Sequence, residues 1–221
     1  MVKRLVILGG GESGVGTALL GLQKGYDVFV SDFGKIKEGY AFALSSNEID
    51  WEDGGHTAAE IVRADVVVKS PGIPETAPII LTLKEANVKV ISEIEFAATY
   101  TEATIVAITG SNGKTSTASL TYSLLKDELN VALGGNIGDS FAAQVATGNY
   151  KNFVLELSSF QLDGIENFAP HIAVLTNLSP DHLDRYEYDF EKYIASKFRI
   201  TKNQTETDYL IYDADDHAVN N

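Results

Sequence analysis

Residues 109–115 read TGSNGKT, set between a β-rich run, ATIVAI, and a helix-patterned run, STASLTYSLLKDEL. In a turn of this kind successive backbone N–H groups surround phosphate oxygens, Lys114 reaches the β and γ phosphates, and the Thr115 hydroxyl ligates magnesium. Gly110, Ser111, Asn112, Gly113, Lys114, Thr115 and Ser116 are therefore candidates to bind ATP. The spacing departs from the common phosphate loop, because only Ser111 and Asn112 separate the glycines. A glycine turn with an exposed lysine and a helix-capping threonine is the plain alternative.

A second glycine cluster, GGGESG, puts Gly9, Gly11 and Gly14 in the pattern G-x-G-x-x-G between a strand-like and a helix-like run. Glycines so spaced allow a tight turn and let a ligand approach a helix N-terminus, where unpaired N–H groups favour negative charge. Asp32 ends the next strand-like run, where a dinucleotide-binding domain carries the acid that holds a ribose hydroxyl. The pattern reads as nucleotide binding without fixing which nucleotide. Glycines that merely let a helix pack closely on a sheet are the alternative.

Two further polar groups call for partners. Glu156 lies in an otherwise apolar strand-like run, VLELSSFQLD, where a lone carboxylate is costly to bury. A metal would supply the partner. NLSPDHLDRY gathers Asn177, Asp181, His182, Asp184 and Arg185 after the next strand, at the edge where open α/β sheets bind ligands. Carboxylates beside a phosphate loop suit magnesium, which prefers oxygen ligands and keeps water. Taken singly, His182 reads as a loop histidine bonded to backbone, and Asp184 with Arg185 as a solvated ion pair.

The elements that must hold these residues are short, Val- and Ile-rich strands buried on both faces, alternating with helices. Strands are expected at 4–9, 27–32, 65–70 and 88–92, with helices at 14–24, 57–63 and 76–86. The series restarts with strands at 104–109, 130–135, 152–157, 172–178 and 208–213, and helices at 113–127 and 189–202. The turn-forming stretch ATYTEA, 98–103, is the expected boundary. The fold class is α/β: a Rossmann-like parallel-sheet domain over 1–98, then a P-loop-type α/β ATPase domain over 99–221.

Bulk composition narrows the function. With 17 Lys and Arg against 31 Asp and Glu, the formal charge of −14 argues against a broad nucleic-acid or acidic-membrane surface. An anionic ligand must then be held by a local site. There is no cysteine, which excludes disulfides and thiolate metal sites and fits a reducing compartment. The apolar runs are too short to cross a bilayer and the first residues lack a signal-peptide pattern, so a cytoplasmic protein is expected.

TGSNGKT, GGNIG (134–138), ELSSFQL (156–162), NLSPDHLDRY and YIASKFRI (193–200), in this order, resemble the ATP-dependent Mur ligases of peptidoglycan synthesis. The GGGESG domain, the KSPGIP turn (69–74) and ELSSFQL resemble those members that join D-glutamate to UDP-N-acetylmuramoyl-L-alanine. The resemblance implies a ligase of cell wall biogenesis, tied to cell shape and division, that is a monomer and works without nucleic acid or membrane insertion. It implies an acyl-phosphate intermediate, with ATP and two magnesium ions as cofactors. It also implies a third, amino-acid-binding domain that is absent here, so this chain is expected to be an inactive N-terminal part.

By the same resemblance Gly11, Glu12, Ser13, Gly14, Asp32, Ser70 and Gly72 would bind the UDP part of the substrate, and Asn136 would approach the UDP-sugar. Phe33 departs from the small polar residue expected beside Asp32. Lys114, Glu156, His182 and Lys197 would be catalytic. Thr115 and Glu156 would bind one magnesium, while His182 and a carbamylated Lys197 would support a second. Without the resemblance Lys197 reads as a solvated helix lysine. Two rival readings stand beside the ligase: an NAD-dependent oxidoreductase, supported by GGGESG and Asp32, and a nucleotide-binding module that performs no reaction.

Overall fold

The computed structural model describes residues 2–220. The chain divides into two compact units, Met1–Tyr100 with Ser140–Thr147, and Thr101–Asp139 with Gly148–Asn221.

In the first unit β1 (Arg4–Leu8), α1 (Glu12–Gln23), β2 (Asp27–Asp32), α2 (Glu38–Ser46), β3 (Asp50–Asp53), α3 (Ala58–Ile61), β4 (Val66–Lys69), α4 (Pro78–Glu85), β5 (Val90–Ile91) and α5 (Glu93–Ala98) follow in turn. The strands form one parallel sheet in the order β3-β2-β1-β4-β5. Leu5, Val6, Ile7 and Leu8 of central β1 are buried, as a strand covered on both faces requires. β3, α2 and α5 have no counterpart among the expected elements. β3 reads DWED and its residues are half-buried or exposed, because an edge strand needs no continuous apolar run.

The second unit is built on β6 (Thr104–Thr109), α6 (Lys114–Leu125) and β7 (Val131–Gly135). After α7 (Phe141–Thr147) come β8 (Asn152–Glu156), α8 (Ser159–Asp163), β9 (Ile172–Leu175), α9 (Phe190–Phe198), β10 (Tyr209–Tyr212) and α10 (His217–Asn220). Its parallel sheet has the order β10-β9-β6-β8-β7, which puts β6 at the centre. The expected helix over 189–202 ends at Phe198 and continues only as a tight turn, Arg199–Thr201. No helix among the described residues is long and apolar enough to cross a membrane.

The helix α7 departs from the sequence reading, which placed its residues with the second domain. It packs against α1 and α5 in the first unit. Gly16 permits this contact: a Cβ there would lie 2.4 Å from Ser140 Oγ and 3.0 Å from Ala143 Cβ. Glu93, at the start of α5 and buried, accepts hydrogen bonds from Ser140 Oγ at 2.7 Å and from the Ala142 N–H at 2.9 Å. Burial pushes its carboxyl above the usual range, against the opposing effect of those two bonds.

Glu93 therefore fixes α7 by satisfying backbone that would otherwise be buried without a partner. Glu93→Ala is expected to lower stability by about 1–3 kcal/mol, the cost of an unsatisfied buried donor, while Glu93→Gln, which keeps an acceptor, should lose less. Urea unfolding midpoints of the three proteins check the order.

Candidate active site

In the second unit residues 110–113 of the TGSNGKT segment join the C-terminal end of β6 to α6. Gly110 has φ +141°, and a Cβ there would come within 2.0 Å of Thr176 Oγ1 and 3.0 Å of the Asn177 carbonyl. Only glycine fits that approach. Gly113 is left-handed, with φ +81°, and begins α6 with no side-chain cap. The first N–H groups of α6 have no intrahelical partner, so the helix presents donors and a positive dipole end.

The segment that follows β9 holds the loop in shape. The Ser111 N–H donates to the Asn177 carbonyl at 2.8 Å and the Asn112 N–H to Asn177 Oδ1 at 3.0 Å. Ser111 Oγ donates to the Ser179 carbonyl at 2.8 Å and accepts from the Ser179 N–H at 2.9 Å. Thr176 Oγ1 and Asn177 Nδ2 both donate to the Asn112 carbonyl, at 2.7 and 2.9 Å. Ser111 and Asn112 thus act here as fasteners of the loop. Lys114 folds back, its Nζ donating to the Ser111 carbonyl at 3.0 Å, while Thr115 and Ser116 are exposed.

Glu156 is the last residue of β8, 1% exposed, and the register pairs it with Ile108 of β6 and Gly135 of β7. Thr115 Oγ1 donates to its Oε2 and Asn136 Nδ2 to its Oε1, each at 2.7 Å. Gly135 permits this closeness, since a Cβ there would lie 2.3 Å from the Glu156 carbonyl. The lone carboxylate thus has two neutral partners, and Thr115 leads from it to the surface. The Thr115 hydroxyl and the Glu156 carboxylate are the hard oxygen donors that magnesium prefers, and they fit one such ion.

Lys197, on α9, is 2% exposed rather than solvated. Its Nζ donates to the Gly110 carbonyl at 2.9 Å and to Thr109 Oγ1 at 3.3 Å, and lies 5.3 Å from the centre of the Tyr193 ring. Burial, aided by the nearby Lys114 cation, lowers its pKa to about 7. His182 has φ 49°; its N–H donates to Asp181 Oδ1 at 2.9 Å, its Nε2 lies 3.5 Å from Asp181 Oδ2, and its ring lies 5.2 Å from that of Phe160. Arg185 lies over the Phe160 ring, 4.4 Å from its centre. Among the described residues no group of three or more His, Asp or Glu is gathered as metal ligands. The structure therefore joins Thr115, Asn136 and Glu156 in one cluster and Lys197 to the loop, and leaves His182 with Asp181 and Phe160.

In the first unit the turn after β1 leads into α1, which Gly11 begins with no side-chain cap. A Cβ on Gly14 would lie 1.9 Å from the Gly9 carbonyl, and one on Gly9 would lie 2.8 Å from Ser70 Cβ. Both carboxylate oxygens of Asp32 accept backbone N–H groups, Oδ2 from Gly10 and Oδ1 from Gly34, each at 2.7 Å. Asp32 thus ties the glycine turn to the end of β2. Glu12 accepts from the Ser140 N–H at 3.1 Å, and Gly72 lies in the turn after β4. Sequence reading missed a network beside Asp32: Ser31 Oγ lies 2.7 Å from both Glu52 Oε1 and His56 Nδ1. Its signal is in the β2–β3 register, which sets Ser31 opposite Glu52.

The family model described as "Mur ligase middle domain" matches residues 108–221, and that described as "Mur ligase MurD-like, N-terminal domain" matches residues 3–92. A UDP-N-acetylmuramoylalanine--D-glutamate ligase of Christiangramia forsetii is 60% identical over 220 residues, 99% of this chain and 49% of the relative. One of Bacteroides fragilis is 55% identical over 219 residues, with the same shares. The chain spans about half the length of the curated relatives it matches. Among solved structures, a Neisseria UDP-N-acetylmuramate:L-alanyl-gamma-D-glutamyl-meso-diaminopimelate ligase superposes with TM-score 0.68 at 20% identity, over 99% of this chain and 74% of that one. A Thermotoga maritima UDP-N-acetylmuramate-alanine ligase gives 0.60 at 23%, over 97% and 50%. At such identities these two likenesses speak for the fold.

The buried Lys197 amine has a measurable consequence. Between about 7 and its ordinary value of 10.5 the unfolded chain binds the proton and the folded chain does not, so stability should rise with pH across that window. Lys197→Met removes this contribution. Urea midpoints at pH 7.5 and 9.5 should show a larger gain with pH for the wild type than for the variant.

Proposed function

The chain belongs to the Mur ligase family, and from that premise we propose that it carries the UDP-substrate and ATP sites of a D-glutamate-adding ligase of peptidoglycan precursor synthesis. The observation that carries this reading is the Thr115–Glu156–Asn136 cluster at the mouth of an uncapped α6. The second unit, Thr101–Asp139 with Gly148–Asn221, is then a P-loop-type ATP-binding domain. The first unit holds UDP-N-acetylmuramoyl-L-alanine. A monomer in the cytoplasm is part of the same reading.

In this reaction the substrate carboxylate attacks the γ-phosphorus of ATP, ADP leaves, and the D-glutamate amine then displaces phosphate from the acyl phosphate. Both steps concentrate negative charge, so fixed cations and oriented donors are what the protein must supply. The N–H groups opening α6 and the Lys114 ammonium meet the phosphate oxygens, which requires Lys114 to leave the Ser111 carbonyl. Thr115 and Glu156 would hold one magnesium, which when bound neutralises phosphate charge. Asn136 and Thr115 orient the Glu156 carboxylate for that task. Asn136 would also approach the UDP-sugar.

Lys197 sits ready for a modification that the family resemblance implies. An amine with a pKa of about 7 is substantially neutral at physiological pH, and its lone pair can attack carbon dioxide. The N–C bond forms, one proton leaves, and a carbamate replaces the cation. Such a group would supply oxygen donors to a second metal, with His182 as a companion once it turns from Asp181. Among the described residues no second set of His, Asp or Glu ligands is gathered around it as arranged.

In the first unit Gly11 and Gly14 open α1 toward a diphosphate, with Glu12, Ser13, Asp32, Ser70 and Gly72 around the uridine. An oxidoreductase reading would use the same turn but leaves the Thr115–Glu156 cluster without a task.

A coupled assay for ADP release, with UDP-N-acetylmuramoyl-L-alanine, D-glutamate, ATP and magnesium, tests the proposal. A version continued to the relatives' length should release ADP in a D-glutamate-dependent manner, and the 221-residue chain should stay at background. In the longer version Lys197→Ala should lose activity, and added short carboxylic acids should restore part of it. Unchanged turnover in Lys197→Ala rules out the carbamate, and ADP release independent of D-glutamate rules out this ligase.

A further inference from the structure

The Ser31 network fixes more than the end of β2. Glu52 accepts from Ser31 Oγ at 2.7 Å, from the Thr57 N–H at 2.7 Å and from Thr57 Oγ1 at 2.6 Å. Burial acts to raise the Glu52 pKa, but the bonds from Ser31 and Thr57 outweigh it and keep the carboxyl below the usual range, hence ionised. Ser31 has one hydroxyl proton, and Glu52 takes it. The short contact between Ser31 Oγ and His56 Nδ1 then requires that Nδ1 carry a proton and donate it. Burial lowers the pKa of His56, against the pull of Glu52 and Asp32, so the ring is neutral at neutral pH. A neutral ring protonated at Nδ1 has its lone pair on Nε2.

Next to this ring stands Phe33, 77% exposed, its centroid 5.9 Å from that of His56 at an angle of 47°. Phe33 directly follows Asp32 at the end of β2, where the bound nucleoside of a Rossmann-type domain is expected. An aromatic face left in water at that position offers a base a surface to stack on.

We propose that Phe33 and His56 form the base-reading wall of the nucleotide site, with Phe33 stacking on the pyrimidine and the His56 Nε2 lone pair accepting the N3–H of uracil. This deepens the proposed function and rests on its reading of the first unit as a uridine diphosphate site. Uracil carries a hydrogen on N3 and cytosine a lone pair. In the same pose cytosine would face two acceptors toward each other, with no hydrogen between them, and mismatched polar groups of this kind are how a site rejects a near neighbour. Phe33 sets affinity for either base, and His56 sets the choice. His56 is a specificity residue with no part in phosphoryl transfer.

Titration calorimetry of the 221-residue chain with UDP and with CDP at pH 7.5 tests this. The wild type should prefer UDP by roughly tenfold or more. In His56→Asn the amide nitrogen keeps the bond to Ser31 but the Nε2 acceptor is gone, and the preference should fall to within about twofold. In Phe33→Leu both nucleotides should weaken together and the preference should remain, so this variant still reports if His56→Asn does not fold. A full UDP preference in folded His56→Asn, or its collapse in Phe33→Leu, overturns the inference while leaving the uridine diphosphate site standing. A wild type that binds UDP and CDP equally does the same, whereas one that binds neither overturns the site itself.

Discussion

A carboxylate at the end of a buried parallel strand must find partners, and Glu156 finds them in residues from two other connections. Thr115 comes from the first turn of α6 and Asn136 from just beyond β7, and each donates to one carboxylate oxygen at 2.7 Å. The parallel register of β6, β7 and β8 is what brings these chain ends level. Each partner is neutral, so neither bond brings a cation to the carboxylate. Its hard oxygens beside the start of α6 are the physical basis for the proposed site for a metal-bound triphosphate.

The first unit solves a related problem with a different carboxylate. Asp32 uses both oxygens on backbone N–H groups, Gly10 on one side and Gly34 on the other, and so fixes the glycine turn that opens α1. In both units a glycine permits a contact that no Cβ would allow, Gly14 against the Gly9 carbonyl and Gly110 against Thr176. The two sheets thus share a plan: a central strand, a glycine turn, and a helix N-terminus without a side-chain cap. With no side-chain cap at either helix start, the first N–H groups of α1 and α6 favour an anionic ligand.

The parts legible in the sequence were those with a one-dimensional signature. Continuous Val and Ile runs marked the central strands, and TGSNGKT and GGGESG marked the turns that follow them. The polar edge strand Asp50–Asp53 has no such run, and its partners become visible only through the register with β2. The tie between Ser31, Glu52 and His56 was illegible for the same reason, since residues far apart in sequence meet only across that edge. Lys197 looked like any helix lysine until α9 turned it under the phosphate loop. The place of α7 in the first unit depends on the buried Glu93 and on the small Gly16, and neither carries a sequence pattern of its own.

The claim on which the account rests is that Glu156 and Thr115 make the phosphate loop a site for the magnesium complex of ATP. Calorimetric titration of the chain with ATP, in magnesium and in EDTA, against the same pair of titrations for Glu156→Gln, tests it most directly. The account predicts tighter binding with magnesium in the wild type, and binding that is weaker and indifferent to magnesium in the variant. An equal magnesium enhancement in Glu156→Gln, or a wild type that does not bind ATP, would contradict it.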